Sequence, residues 1–331
     1  MTDTPYVVQA DHLVKHYGTS RGPFRWPRWP RWTRQTRVVQ AVNGVSLAIR
    51  KNEVLGLVGE SGSGKSTIGR LLLGLEKPDS GSVTFDGSPL ATANSAQWRR
   101  QRAHMQMVYQ NPLAALDRRV AIRLQVEEPL HIHGIPDAQH KAAALLEAVG
   151  LQHHHGERLP SELSGGQRQR AVLARALATD PELIVCDEPI SALDVSIQAQ
   201  ILNLLADLRA SKGTSILFIS HDLRAVRQLS DRIAVVYLGT VVESGPAGAV
   251  LEDPQHPYTK ALVSAAPGHR GLQKDRIILQ GEPPNPADRP DGCPFHPRCP
   301  MVKAHCRSTA PHLDPLPGDP ARQVACHLAG I

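Results

Sequence analysis

The residues whose types and spacing promise chemistry begin with Gly59-Glu60-Ser61-Gly62-Ser63-Gly64-Lys65-Ser66-Thr67, placed directly after the apolar run Val54-Leu55-Gly56-Leu57-Val58. A glycine, four free positions and then Gly-Lys-Ser/Thr fits the P-loop pattern, in the strand-turn-helix context that gives the pattern its meaning. Glycines at 59, 62 and 64 allow backbone conformations closed to residues with side chains, so successive N–H groups can converge on phosphate oxygens at a helix N-terminus. Lys65 would reach the β- and γ-phosphates of a bound nucleotide. The Ser66 hydroxyl would ligate Mg²⁺, a hard cation that prefers oxygen.

Three further strand ends carry polar groups suited to the same ligand. Asp187 closes the apolar run Leu183-Ile184-Val185-Cys186, where a carboxylate can hold Mg²⁺ through its water shell. Glu188 follows at once and would orient and polarise a water in line with the γ-phosphate, since phosphoryl transfer relies on positioning and electrostatics. His221, after the apolar residues 215–219, would donate to the γ-phosphate and hold that water's geometry. Gln110 ends the run Met105-Gln106-Met107-Val108-Tyr109. Taken singly, Asp-Glu can cap a helix and a histidine after a strand can be structural. Together the four sites converge on one nucleotide.

The elements that must position these groups are legible in outline. Strands are expected at 6–17, 38–50, 82–85, 105–109, 183–186 and 215–219, and helices at 68–75, after Gln167 to about 178, and at 196–210, with helical composition from about 118 to 162. Strand, helix, strand at these intervals means an α/β fold with a largely parallel sheet, whose ligands gather at the carboxyl ends of the strands. The histidines at 131, 133 and 153–155 lack carboxylate or cysteine partners at metal-ligand spacing and read as exposed loop residues.

The 331 residues carry a net charge of +6, which invites a nucleic-acid reading, but residues 21–37 alone hold six arginines and no acid. The rest of the chain is neutral and offers no diffuse basic stripe for a phosphate backbone, so no nucleic-acid partner is expected. No apolar run approaches eighteen residues and the first residues lack a charged-then-apolar leader, so a cytoplasmic location is expected, with any membrane link through partners or surface contact. Within the insertion at 19–37, Arg25-Trp26-Pro27-Arg28-Trp29-Pro30-Arg31-Trp32 repeats every three residues, the period of polyproline II. It reads either as an interfacial ribbon, with indoles at headgroup level and guanidiniums on anionic lipid, or as a solvated loop.

Over residues 6–255 the chain resembles the nucleotide-binding subunit of ATP-binding-cassette (ABC) transporters. The likeness rests on the Walker A loop at 59–67, the signature Leu163-Ser164-Gly165-Gly166-Gln167, the Walker B strand with Asp187, the adjoining Glu188, the D-loop Ser191-Ala192-Leu193-Asp194, the Q-loop Gln110, the H-loop His221 and an adenine-stacking aromatic at Tyr17. The resemblance implies a P-loop ATPase domain with a mostly parallel core, an antiparallel β subdomain and a helical subdomain at about 111–162. It also implies Mg²⁺ held through Ser66, Gln110 and Asp187, and a head-to-tail dimer in which each signature faces the partner's ATP. A second anion site at a helix N-terminus agrees with that assignment, because the triphosphate of the same subunit is already held elsewhere. Expected partners are a second ABC ATPase subunit, identical or homologous, two transmembrane permease subunits and an extracytoplasmic binding protein. The expected location is then the cytoplasmic face of the cell membrane.

Residues 256–331 read as a small irregular extension, rich in proline from Pro283 to Pro320. Asp253-Pro254-Gln255-His256-Pro257-Tyr258-Thr259-Lys260-Ala261-Leu262 looks like the segment that marks the oligopeptide and dipeptide importer branch. Four cysteines follow, Cys293, Cys299, Cys306 and Cys326, with five, six and nineteen residues between them and no Cys-x-x-Cys knuckle. In a cytosolic chain such a group suggests metal before disulfide; an iron–sulfur cube, a zinc ion and free thiols all stand as readings. The Cys-x5-Cys-Pro pattern resembles the tail of that importer branch, where a [4Fe–4S] cluster is implied. The expected activity is ATP hydrolysis energising import of di- or oligopeptides or a related small solute. The alternative is a soluble cassette ATPase serving a cytosolic assembly, such as one for carbon–phosphorus bond cleavage.

Overall fold

The computed structural model describes residues 5–18, 38–91, 95–191, 193–266 and 277–330, so the Arg/Trp/Pro insertion at 19–37 and Ala192 lie outside the described residues. Twelve strands occur among them: β1 (Tyr6–Gly18), β2 (Val38–Arg50), β3 (Val54–Val58), β4 (Ser80–Phe85), β5 (Ser88–Pro89), β6 (Met105–Val108), β7 (Leu183–Asp187), β8 (Ser215–Ile219), β9 (Arg232–Tyr237), β10 (Thr240–Pro246), β11 (Asp314–Leu316) and β12 (Asp319–Val324). Eight form one sheet in the order β11-β12-β10-β9-β3-β8-β7-β6, and four form a second in the order β2-β1-β4-β5. In the larger sheet β9, β3, β8, β7 and β6 run parallel, whereas β10, β12 and β11 attach antiparallel. The smaller sheet is antiparallel throughout.

The apolar runs that end at the candidate site are buried along their whole length because both faces of the parallel sheet are covered. Alternation sends their side chains into two cores. Val54, Val58, Ile184, Cys186, Ile216 and Phe218 enter one core, shared with the helical region. Leu55, Leu57, Leu183, Val185, Leu217 and Ile219 enter the other, shared with β1, β2 and the helix Lys65–Leu72. The period of two along each strand therefore locks two layers onto one set of loops. Cys186, wholly buried and with its thiol pushed up to about 12 by burial, is a packing residue.

Between β6 and β7 the expected helical stretch resolves into the helices Ile122–Ile132 and Ala138–Ala148 with shorter turns, packed on the helix Gly165–Leu177. The helix Ala96–His104, the helix Leu223–Leu229 and the pair β9 and β10 lie outside the elements expected from the sequence. The first of these helices buries none of its residues and has no apolar stripe to betray it.

The C-terminal extension is less irregular than its composition suggests. β12 pairs with β10 through Glu243–Val324 and Ser244–Gln323, and β11 closes a hairpin onto β12. Phe295 is fully buried in the main core, and Val324, Ala325 and Cys306 are also buried. Proline and polar residues hide these short strands: β11 buries none of its residues, and β12 pairs with β10, some eighty positions before it.

Candidate functional site

β3 delivers the chain into the Gly59–Thr67 loop, and the helix Lys65–Leu72 begins where that loop ends. Gly59 and Gly64 have φ of 155° and 101°. A Cβ at Gly59 would lie 2.2 Å from the Val236 carbonyl oxygen, and one at Gly64 2.2 Å from that of Ala41. Only glycine fits either position, which is why the loop can run flat against β9 and β2.

Lys65 is buried, and its Nζ donates to the carbonyl oxygens of Gly59 (2.9 Å) and Glu60 (2.8 Å). Burial lowers its pKa, opposed by the charges of Glu188, Asp187 and Glu60. An ammonium already stripped of water and aimed into its own loop is ready to exchange carbonyl partners for phosphate oxygens. Beside it, the Ser66 hydroxyl donates to Asp187 Oδ1 at 2.8 Å. Burial raises the Asp187 pKa, with the Ser66 hydrogen bond acting against it. This all-oxygen pair has the donor chemistry of a Mg²⁺ site.

The ends of β6, β7 and β8 meet at Glu188. Its carboxylate accepts from Gln110 Nε2 at 2.8 Å and lies 3.4 Å from His221 Nδ1, while its backbone N–H donates to the Ile219 carbonyl at 3.0 Å. Glu188 has φ of +48°, in the left-handed region that a glutamate seldom occupies. Backbone held there by flanking strands is the kind of strain found at working sites. Five residues separated by up to 155 positions are thus brought into one cluster: Ser66, Gln110, Asp187, Glu188 and His221.

The signature segment lies elsewhere in this chain. Ser164 caps the helix Gly165–Leu177 in a capping box: Ser164 Oγ accepts from Gln167 N (3.3 Å) and Gln167 Oε1 accepts from Ser164 N (2.9 Å). Leu163 is buried beneath it. Among the described residues no hydrogen bond joins 163–167 to 59–67. Ser191 folds back on the Glu188 carbonyl through its N–H (3.3 Å) and Oγ (3.2 Å), and Leu193 leads to Asp194 at the start of the helix Val195–Lys212. Tyr17, half-exposed at the end of β1, donates a short hydrogen bond to Glu76, which also accepts from Arg70 at 3.3 Å. Glu76 has no motif to announce it, since its partner is 59 positions away.

In the extension, Cys293, Cys299, Cys306 and Cys326 share one neighbourhood without closing into a single-ion cage. Among the described residues no group of three or more His, Cys, Asp or Glu is gathered tightly enough to hold one metal ion. Burial pushes the Cys293 thiol up to about 11, with smaller upward pushes from Cys326, Cys299 and Cys306. Burial also raises Cys299 and Cys326, and both feel Cys306. Such thiols are weak free nucleophiles, because ionisation needs a compensating positive centre.

Comparison with known proteins agrees with this geometry. The ABC transporter family model matches residues 42–191, and the model described as the oligopeptide/dipeptide transporter C-terminal region matches residues 242–306. The chain is 45% identical over 327 residues to the di/tripeptide transport ATP-binding protein DppF of Pseudomonas aeruginosa, covering 98% of both chains. It is 47% identical over 295 residues to the putative oligopeptide transport ATP-binding protein YkfD of Bacillus subtilis, covering 87% of this chain and 89% of that protein. Among solved structures, a dimeric ATP-binding cassette in a post-hydrolysis state bound to ADP and Pi is 27% identical with a TM-score of 0.62, covering 72% of this chain and 98% of that one.

Proposed function

The chain belongs to the ATP-binding proteins of ABC transporters that carry the oligopeptide/dipeptide transporter C-terminal region, and from that premise we propose that it hydrolyses ATP to energise import of di- or oligopeptides or a related small solute. The observation that carries the catalytic reading is the convergence on Glu188 of Gln110 and His221, beside the Ser66–Asp187 pair. In this reading Tyr17 stacks on adenine, residues 59–67 wrap the phosphates and Lys65 trades its loop carbonyls for β- and γ-phosphate oxygens. Ser66, Gln110 and Asp187 would hold Mg²⁺, which supplies charge neutralisation on the phosphates. Glu188 accepts a proton from, and aligns, the attacking water; His221 donates to the γ-phosphate and fixes the Glu188 carboxylate.

The capping box at Ser164 leaves a helix N-terminus, flanked by Gly165 and Gly166, as an anion site for the γ-phosphate of a partner subunit, with the D-loop residues 191–194 beside it. ATP would then join two such subunits and its cleavage would release them, with the Gln110 loop passing the change to two permeases at the cytoplasmic face of the membrane. Among the described residues no helix is long and apolar enough to cross a membrane, so the transmembrane path is assigned to those permeases. An extracytoplasmic binding protein supplies the solute. The relatives named for peptide transport favour this reading over a cytosolic enzyme assembly. The test is ATPase activity of the chain isolated with its membrane partners and reconstituted in vesicles: peptide-stimulated release of phosphate supports the proposal, and co-purification with soluble enzymes and no membrane protein overturns it.

The same reading includes a [4Fe–4S] cluster on Cys293, Cys299, Cys306 and Cys326. The support is four cysteines in the extension whose thiols feel one another, the number of soft ligands such a cluster takes, one thiolate on each iron. When bound, the group would cross-link the tail by four thiolate bonds. Iron and sulfide analysis after anaerobic purification decides: about four of each per chain supports the cluster, and iron-free protein with full ATPase activity removes it.

A further inference from the structure

We propose that Arg298 and Tyr258, both supplied by the C-terminal extension, are positioning residues for the phosphate-binding loop, and that through Glu60 they set how tightly this chain binds ATP. The inference rests on the ATPase reading above and adds to it a role for the tail.

Glu60 is the second residue of the loop, and its polar groups are all engaged. Its carbonyl accepts from Lys65 Nζ at 2.8 Å. Its N–H donates to the Tyr258 hydroxyl at 2.8 Å, and its carboxylate takes both Arg298 terminal nitrogens, at 2.8 Å and 3.2 Å. Two of these three attachments therefore come from residues 198 and 238 positions later. Neither partner is loosely held. Tyr258 is fully buried, with Tyr237 4.7 Å and Phe295 5.5 Å from its ring. Arg298 ends the turn His296–Arg298 directly after the buried Phe295, and its side chain is only 7% exposed.

The electrostatics give the arrangement a purpose. A loop that must take a polyanion carries a carboxylate whose charge reaches Lys65. Unpaired, that carboxylate would repel the triphosphate and draw Lys65 away from it. A bidentate guanidinium cancels the charge and fixes the carboxylate's direction, which a lysine ammonium does less well. Tyr258 meanwhile fixes the peptide plane from which the loop departs. Arg298 also stands next to Cys299, so whatever organises the cysteine region is one residue from the loop's charge balance.

The experiment titrates the full-length chain with ATP by calorimetry and measures KM and kcat for ATP in the assembled transporter. For Arg298→Ala we expect ATP Kd and KM to rise at least tenfold, with kcat at saturating ATP within twofold of the parent. Adding Glu60→Gln to Arg298→Ala removes the uncompensated carboxylate and should return Kd to within about threefold of the parent. A tail that merely stabilises the fold would not show that rescue. Should Arg298→Ala fail to fold, Arg298→Lys carries the same comparison, with an intermediate rise in Kd that Glu60→Gln relieves. An Arg298 variant binding ATP within twofold of the parent, or a double variant as weak as the single one, overturns the proposal. A parent chain that binds no ATP instead overturns the nucleotide reading on which it rests.

Discussion

Ser66 Oγ lies 2.8 Å from Asp187 Oδ1, a hydrogen bond between the first turn of the helix after β3 and the last residue of β7. The two oxygens are held together by adjacent buried elements, so the Mg²⁺ site proposed above would be organised before any cation arrives. Ser66→Ala removes one ligand and should raise the Mg²⁺ concentration for half-maximal ATPase at least tenfold, while nucleotide binding in EDTA changes little. A Mg²⁺ titration of ATPase checks this; an unchanged midpoint would place the cation elsewhere.

Glu188→Gln keeps the shape and the contacts to Gln110 and His221 but loses the proton-accepting carboxylate. Hydrolysis should fall about 10²–10⁴-fold, the usual share of a positioned general base. The variant should accumulate as an ATP-bound dimer, visible by size exclusion with Mg-ATP. Turnover at the parental rate would remove Glu188 from the reaction.

Acid sensitivity should trace to His256. The ring is fully buried, accepts from the Tyr258 N–H at 3.0 Å to cap the helix Pro257–Ala265, and is held neutral with a pKa pushed down to about 3 by burial. In the unfolded chain the ring protonates near 6.5, so below that pH the unfolded state binds the extra proton. Its contribution is therefore complete above about pH 6.5 and is lost as pH falls towards 3. Between pH 6.5 and 5 the loss is up to about 2 kcal/mol. His256→Asn, which keeps a capping acceptor, should show a smaller drop in urea midpoint between pH 7.5 and 5 than the parent. Equal drops would refute the assignment.

The extension should behave as part of the core. Phe295 is fully buried and meets Tyr237 edge-on at 5.2 Å. Phe295→Ala should cost about 3–5 kcal/mol in unfolding free energy, the range for a buried phenylalanine. A single cooperative transition shifted to lower denaturant is expected, whereas an unshifted main transition would mark the tail as an independent appendage.

The four active strand ends were legible in the sequence because each is a local pattern: an apolar run of about five residues followed at once by a polar group. Glu188 could be named from its place after Asp187, although its left-handed backbone and its contacts with Gln110 and His221 could not. The helix Ala96–His104 leaves no such pattern because none of its residues is buried, and β12 leaves none because its pairing comes from the distant β10.

What the sequence determined by itself was the set of residue types and their local spacing, since the phosphate-loop pattern at 59–67 and the acid pair Asp187-Glu188 after an apolar run are each written within a few consecutive residues. The tertiary structure decided how those pieces are held: Ser66 on Asp187, Gln110 and His221 on Glu188, and Arg298 and Tyr258 on Glu60. These contacts join residues 33 to 238 positions apart, and no local spacing encodes them, because they exist only once two cores have closed on opposite faces of one sheet.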